Sequence, residues 1–206
     1  MVRSMWLFKH KFHADGTLNR YKACLVANGS SQQLGVDFDE TFSPVVKPAT
    51  IHIVLSLYET FSLVVKPATI NGDLSETFYM HQLLGFVDTR FPNHVCHLKR
   101  SLYGLKQAPR AWFQYFAGYA TRAGFYHNRY DSSLFIYRQV YQVAYLLLYV
   151  DDIILIASST TLLQHLIGSL HHEFNMTDLK AFNYFLGISN ARHSTGLFLS
   201  QRKYAL

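Results

Sequence analysis

Residues 144–157 read AYLLLYVDDIILIA, two apolar runs interrupted by the adjacent carboxylates Asp151 and Asp152. This stretch constrains the chain more than any other. It is shorter than the ~20 residues that a membrane-spanning helix needs. Two aspartates at its centre would each cost about 2.5–3.5 kcal/mol in a bilayer. The stretch therefore reads as two buried strands, Gln142 to Val150 and Ile153 to Ala157, that turn at the carboxylates.

The rest of the composition supplies a core for such a hairpin. The chain has 206 residues, half of them hydrophobic and 16% aromatic, which excludes disordered and fibrous classes. A chain of this size makes one domain or one and a half and hides something like 70% of its unfolded surface. Cys24 and Cys96 show no repeated spacing, so neither a disulfide framework nor a CxxC zinc ribbon is expected, and a reducing compartment fits best. MVRSMWLFKHKF lacks the apolar core and cleavage site of a secretory signal, so a cytoplasmic or nuclear location is expected, with no membrane partner. The formal charge of +6 is compatible with a polyanionic partner without requiring one.

Ahead of the carboxylate pair, Trp6 and Phe8 recur at alternate positions, as do Tyr21, Ala23 and Leu25 beyond Asp15-Gly16, the signal of a basic two-stranded hairpin. Lys22, Cys24 and Val26 share the face opposite Tyr21, Ala23 and Leu25. Residues 28–35 read as loop. Residues 40–51, ETFSPVVKPATI, recur at 59–70 as ETFSLVVKPATI, identical at 11 of 12 positions. Two copies are too few for a solenoid. A short strand at 94–98 precedes a helix opened by Pro109, carrying Phe113, Phe116, Ala117 and Ala120 and stopped by Gly124. Residues 132–137 read as a strand, and Ser159 or Thr160 caps a second helix with Leu162, Leu163, Leu166, Ile167, Leu170 and Phe174 on one stripe. This order predicts an α+β fold of split βαβ (ferredoxin-like) type with an antiparallel sheet.

Two readings fit Asp151 and Asp152. Half-buried carboxylates repel one another unless neutralised, which a hard divalent ion such as Mg²⁺ does well; alternatively they form a solvated Asp-rich turn. Residues 101–113, SLYGLKQAPRAWF, put Lys106 and Arg110 beside a helix start, an arrangement suited to a phosphate or base edge, or equally a solvated basic loop ahead of a core helix. The pairs His10/His13 and His94/His97 have no Cys partner and lie in strand-like segments, which argues against zinc.

Taken together, the ordered segments ADGTLNRYKACLVANG, GVDFDETFSPVVKPATI, NGDLSETFYM, SLYGLKQAPRAWF, DSSLFIY, YLLLYVDD, FNMTDLKAFNYFLGI and LSQRKYAL resemble the reverse transcriptase domain of copia-type long-terminal-repeat retrotransposons. The resemblance covers nearly the whole chain. It implies right-hand polymerase fingers and palm: residues 1–50 as fingers hairpin and loop, 51–190 as palm with further finger elements, and 191–206 as the start of the post-palm segment. A full thumb and the rest of the Pol polyprotein are expected to lie outside these residues. It further implies RNA-directed DNA synthesis on two Mg²⁺, with Mn²⁺ as a substitute, from an RNA or DNA template-primer and deoxynucleoside triphosphates. Asp151 and Asp152 match the paired metal-binding aspartates. Lys22 matches a finger residue near the triphosphate, and Gln107 the residue facing nucleotide and template. Tyr149, Lys106 and Arg110 fall with the template-primer contacts, as do Leu186 and Gly187 in the primer-gripping segment.

The third aspartate is missing. Against the family pattern LDVKNAFLNGDL this chain reads LVVKPATINGDL, so Val64 stands at the metal-bridging position, Thr69 where an aromatic excludes a 2′ hydroxyl, and Pro67 in a palm strand. The second repeat copy has overwritten that strand. Asp73 lies nine residues downstream, where the family has an additional Asp, and rescue would need the strand to slide. Cys24, Asn28 and Leu83-Leu84 replace the family's Arg, Lys and Pro-Pro, reducing the positive charge of the fingers. Loss of one bridging carboxylate is expected to weaken Mg²⁺ binding and to cost about a thousandfold or more in rate. The expected function is thus a copia-type reverse transcriptase domain whose own copy is inactive, with a non-enzymatic nucleic-acid-binding remnant or a decayed element as the alternatives.

Overall fold

The computed structural model describes residues 1–13, 15–56, 62–65, 72–150, 152–174, 176, 184–185, 188–193 and 196–200. Along the chain run β1 (Ser4–Phe12), β2 (Leu18–Ala27), α1 (Pro48–Ser56), β3 (Ser62–Val65), β4 (Asp73–His81), β5 (Val95–Arg100), α2 (Ala108–Arg122), β6 (Phe125–His127), β7 (Leu134–Gln139), β8 (Gln142–Tyr149), β9 (Asp152–Ala157), α3 (Thr160–Phe174), β10 (Tyr184–Phe185), β11 (Ile188–His193) and β12 (Gly196–Ser200). Mixed α/β structure with antiparallel sheets results, as the sequence predicts at that level. The chain divides into two compact units, Met1–Ser43 with Ile70–Phe116, and Pro44–Thr69 with Ala117–Leu206. No described helix is long and apolar enough to cross a membrane.

In the first unit, β1 and β2 form the expected antiparallel ribbon, in register from Ser4 opposite Ala27 to Lys11 opposite Arg20, with an irregularity before Phe12. Asp15 organises the turn. Its Oδ1 accepts from the Thr17 hydroxyl at 2.6 Å and the Thr17 N–H at 2.9 Å, and these bonds hold its carboxyl below the ordinary carboxylate value. Behind the ribbon, β4 pairs with β5. Val2, Ala27, Phe78, Met80, Leu105 and Ala108 close a core there. Gly104 sits at φ +97°, and a Cβ on it would run into the Ala27 carbonyl, so the 101–107 loop comes as near to β2 as only glycine permits.

The second unit is built on a five-stranded antiparallel sheet in the order β3-β9-β8-β7-β6. Its central strands are buried on both faces, which is why their sequence is continuously apolar rather than alternating. Leu147, Ile154 and Ile156 pack with Val46 and Val54, while α3 packs on β9 and β8 with Leu162, Leu166, Leu170 and Phe174 buried. Ser159 Oγ accepts from the Leu162 N–H at 3.2 Å, the expected N-terminal cap of α3. The Tyr119 hydroxyl lies 2.6 Å from Ser169 Oγ. Desolvation raises the Tyr119 pKa above its ordinary value.

The elements α1, β4, β6, β10, β11 and β12 go beyond the sequence reading. The helix α1 begins inside the first repeat copy, and β3 is part of the second.

Candidate functional site

In the second unit the two apolar runs turn where expected. Tyr149 pairs with Asp152 across the β8–β9 hairpin. Val150, in the turn between them, is held at φ +51°. A β-branched residue in that region is strained, which is a pointer to function only if it discriminates. Here it does not, since Val140 adopts φ +43° at the turn between β7 and β8, away from any carboxylate pair. Asp152 is half-buried at the start of β9, with its Oδ1 closed off from solvent. Tyr149 packs against the cluster around Val46 and Ile154. Asp151 lies outside the described residues.

The strand beside this hairpin is β3. Val65 opposes Ile153 and Val64 opposes Ile154, so position 64 sits in register two residues along β9 from Asp152. A valine brings no oxygen donor to that position. Aspartates are hard oxygen ligands suited to Mg²⁺, and by residue type Asp151 and Asp152 make a donor set for one such ion. Two-ion chemistry needs a bridging carboxylate more than this set contains. Among the described residues no group of three His, Cys, Asp or Glu comes together as a metal site.

The remaining candidates lie in the first unit, where the structure gives each a distinct setting. Gln107 is 4% exposed; its Oε1 accepts from Gln32 Nε2 at 2.8 Å, and its own Nε2 is buried without a hydrogen-bond partner among the described residues. The same Gln32 holds Lys106: its Oε1 accepts from the Lys106 N–H at 2.9 Å and its carbonyl from Lys106 Nζ at 3.0 Å. Lys106 Nζ also stands 5.1 Å from the centroid of the Phe38 ring, a cation–π contact. Arg110 forms an ion pair with Glu40. Lys22 is exposed on the ribbon, directly opposite Lys9. Leu186 and Gly187 lie outside the described residues.

Gln32, Phe38 and Glu40 escaped the sequence reading. Gln32 stands 75 residues from Gln107 in a segment that reads as loop, so no periodicity or spacing marks it. What the arrangement provides is one loop, 101–107, whose cation and amide are both tied to the 3₁₀ turn after β2.

Residues 1–206 match the reverse transcriptase (RNA-dependent DNA polymerase) family. The chain is 44% identical over its full length to the retrovirus-related Pol polyprotein from transposon RE1 of Arabidopsis thaliana and 43% identical to that from transposon RE2. It is 40% identical, over 98% of its length, to the corresponding polyprotein from transposon TNT 1-94 of Nicotiana tabacum. It spans only 14% of the length of the first two relatives and 16% of the third. No solved structure matches it.

Proposed function

The chain belongs to the reverse transcriptase family, as a domain of copia-type Pol polyproteins, and on that premise we propose that it is a fingers-and-palm fragment whose own copy has lost DNA synthesis. The observation that carries this reading is the register of β3. Its Val64 stands beside the hairpin of Asp152, where the family pattern calls for the bridging aspartate.

In intact relatives of this pattern, bound divalent ions would activate the primer hydroxyl and neutralise the triphosphate. Asp151 and Asp152 are the residues that would hold such an ion here. The donor set does not suit two, so no transfer step is derived through it. Lys22, Lys106 and Arg110 keep the cationic chemistry that template-primer and deoxynucleoside triphosphates need. In this reading the second unit is the palm, its antiparallel sheet the split βαβ type, and the first unit supplies finger elements. Gln107, buried against Gln32, acts by fixing the 101–107 loop.

Titration of the chain with Mg²⁺ by calorimetry, in the presence of template-primer and a nucleotide, tests the reading. One weak site that disappears in Asp152→Asn is expected. Two tight sites would contradict it.

A second reading, a nucleic-acid-binding protein without catalysis, is favoured by the net charge of +6 and by four cations on one face of the β1–β2 ribbon. Binding to an RNA–DNA duplex should then weaken steeply with salt, because each phosphate contact releases counterions.

A further inference from the structure

The socket that holds the first repeat copy recognises groups that both copies possess. Ser133 Oγ donates to the Pro44 carbonyl at 3.3 Å, Asp131 accepts from the Lys47 N–H at 3.0 Å and from the Thr50 hydroxyl, and Val46 is buried with Leu147 and Ile154. Nineteen residues on, the sequence offers the Leu63 carbonyl, Val65, the Lys66 N–H and the Thr69 hydroxyl at the same spacing. The one difference between the copies is Pro44 against Leu63. Pro44 meets Ser133 through its backbone carbonyl, a group that every residue has, and is itself exposed. The socket and residues 59–69 belong to the same compact unit.

We propose that this socket accepts residues 59–70 in place of residues 40–51, so that the chain has two registers nineteen residues apart. The occupant follows from the identity of the copies at 11 of 12 positions and from their tether, which makes the second copy an intramolecular competitor at high effective concentration. What holds the observed register lies outside the socket. Val54 is fully buried through α1, whereas Asn71-Gly72, a poor helical pair, stands where His52-Ile53 continues the first copy as helix. The exchange also gives up the pairing of β3 with β9, although β3 is a four-residue edge strand bonded on one side only. Together these differences favour the observed register about a hundredfold. In the other register Val64 leaves its place opposite Ile154, and the edge of β9 next to the aspartate hairpin is uncovered.

Disulfide trapping in the full 206-residue chain tests this, in a background of Cys24→Ser with Cys96→Ser. Val65 pairs with Ile153 and Leu134 with Leu147, so in the observed register β9 and β8 separate positions 65 and 134. Three strand spacings are about 14 Å, beyond the ~7 Å that a disulfide spans. Val65→Cys with Leu134→Cys therefore closes a bridge only from the second register. Val46→Cys with Leu134→Cys, within one buried cluster, reports the first. Under mild oxidation the 46/134 pair should bridge first, and the 65/134 pair within the same chain about a hundredfold more slowly. Adding Val54→Ala should speed 65/134 bridging about tenfold, because it weakens only the observed register.

Urea unfolding supplies an arm that does not depend on bridge geometry and decides alone if neither pair closes. Val46→Asp should lower the folding constant by no more than about a hundredfold, because the second register then carries the fold. Val65→Asp blocks that refuge, so the two substitutions together should cost more than the sum of their separate effects. A 65/134 bridge that forms only between chains, or that is absent while the 46/134 pair closes, would overturn the proposal. So would additive losses for Val46→Asp and Val65→Asp. The family assignment stands under every one of these outcomes, since it rests on the match of residues 1–206.

Discussion

The two copies of the repeat carry nearly the same twelve residues and fold differently. In residues 40–51, the chain runs without regular structure to Lys47 and enters α1 at Pro48; in residues 59–70, Ser62–Val65 is the edge strand β3. The one substitution between them explains part of this. Pro44 has no N–H to donate to a ladder, while Leu63 at the equivalent place pairs opposite Leu155. The remainder comes from partners. Val46 is buried with Ile154 and Leu147. The Lys47 N–H donates to Asp131 Oδ2 at 3.0 Å, and the Pro44 carbonyl accepts from Ser133 Oγ at 3.3 Å. Segments this short take the structure their surroundings offer, which is why strand propensity is read as fit to a surface and not as a property of the residues.

The sharpest way to break this comparison is Ile154→Ala, because Ile154 serves both copies, packed with Val46 of one and in register with Val64 of the other. It is fully buried, and truncation should cost roughly 3–4 kcal/mol in urea unfolding.

Asp131→Ala comes next and acts on the first copy alone. Burial pushes the Asp131 carboxyl up. Bonds from the Thr50 hydroxyl and from the Lys47 and Ser133 N–H groups, together with the Lys47 charge, outweigh this and hold it below the ordinary value. A carboxylate held low stabilises the fold above its unfolded pKa, and that contribution is lost as pH falls through the lowered one. The parent should therefore lose stability progressively below about pH 4, and Asp131→Ala should lose less over that window while being about 2 kcal/mol weaker at pH 7.

Val46→Ala should cost about 2 kcal/mol. Its neighbour Val45 is exposed, and Val45→Ala should stay within about 0.5 kcal/mol, so equal effects at the two positions would refute the packing assigned to the first copy.

How much of this was legible beforehand follows the same logic. The β8–β9 hairpin was readable because its apolar runs and its carboxylate pair are local signals, and α2 and α3 because Pro109, Gly124 and Ser159 punctuate clean helical stripes. The helix α1 was not, since PATIHIVLS is rich in β-branched residues and its helicity rests on packing supplied from elsewhere. At the candidate site, family pattern pointed to Gln107, but nothing near it in sequence indicated that Gln32 would enclose it in the 101–107 loop contact. The pairing of β3 with β9 was equally non-local. It is this pairing that sets Val64 beside the aspartate hairpin.

Primer extension on an RNA template, with Mg²⁺ and then Mn²⁺, tests the central claim most directly, using the parent chain, Val64→Asp and Asp152→Asn after each is shown to fold. The account predicts a silent parent and extension recovered in Val64→Asp. Extension by the parent that Asp152→Asn abolishes would contradict it, because another carboxylate would then be completing the site.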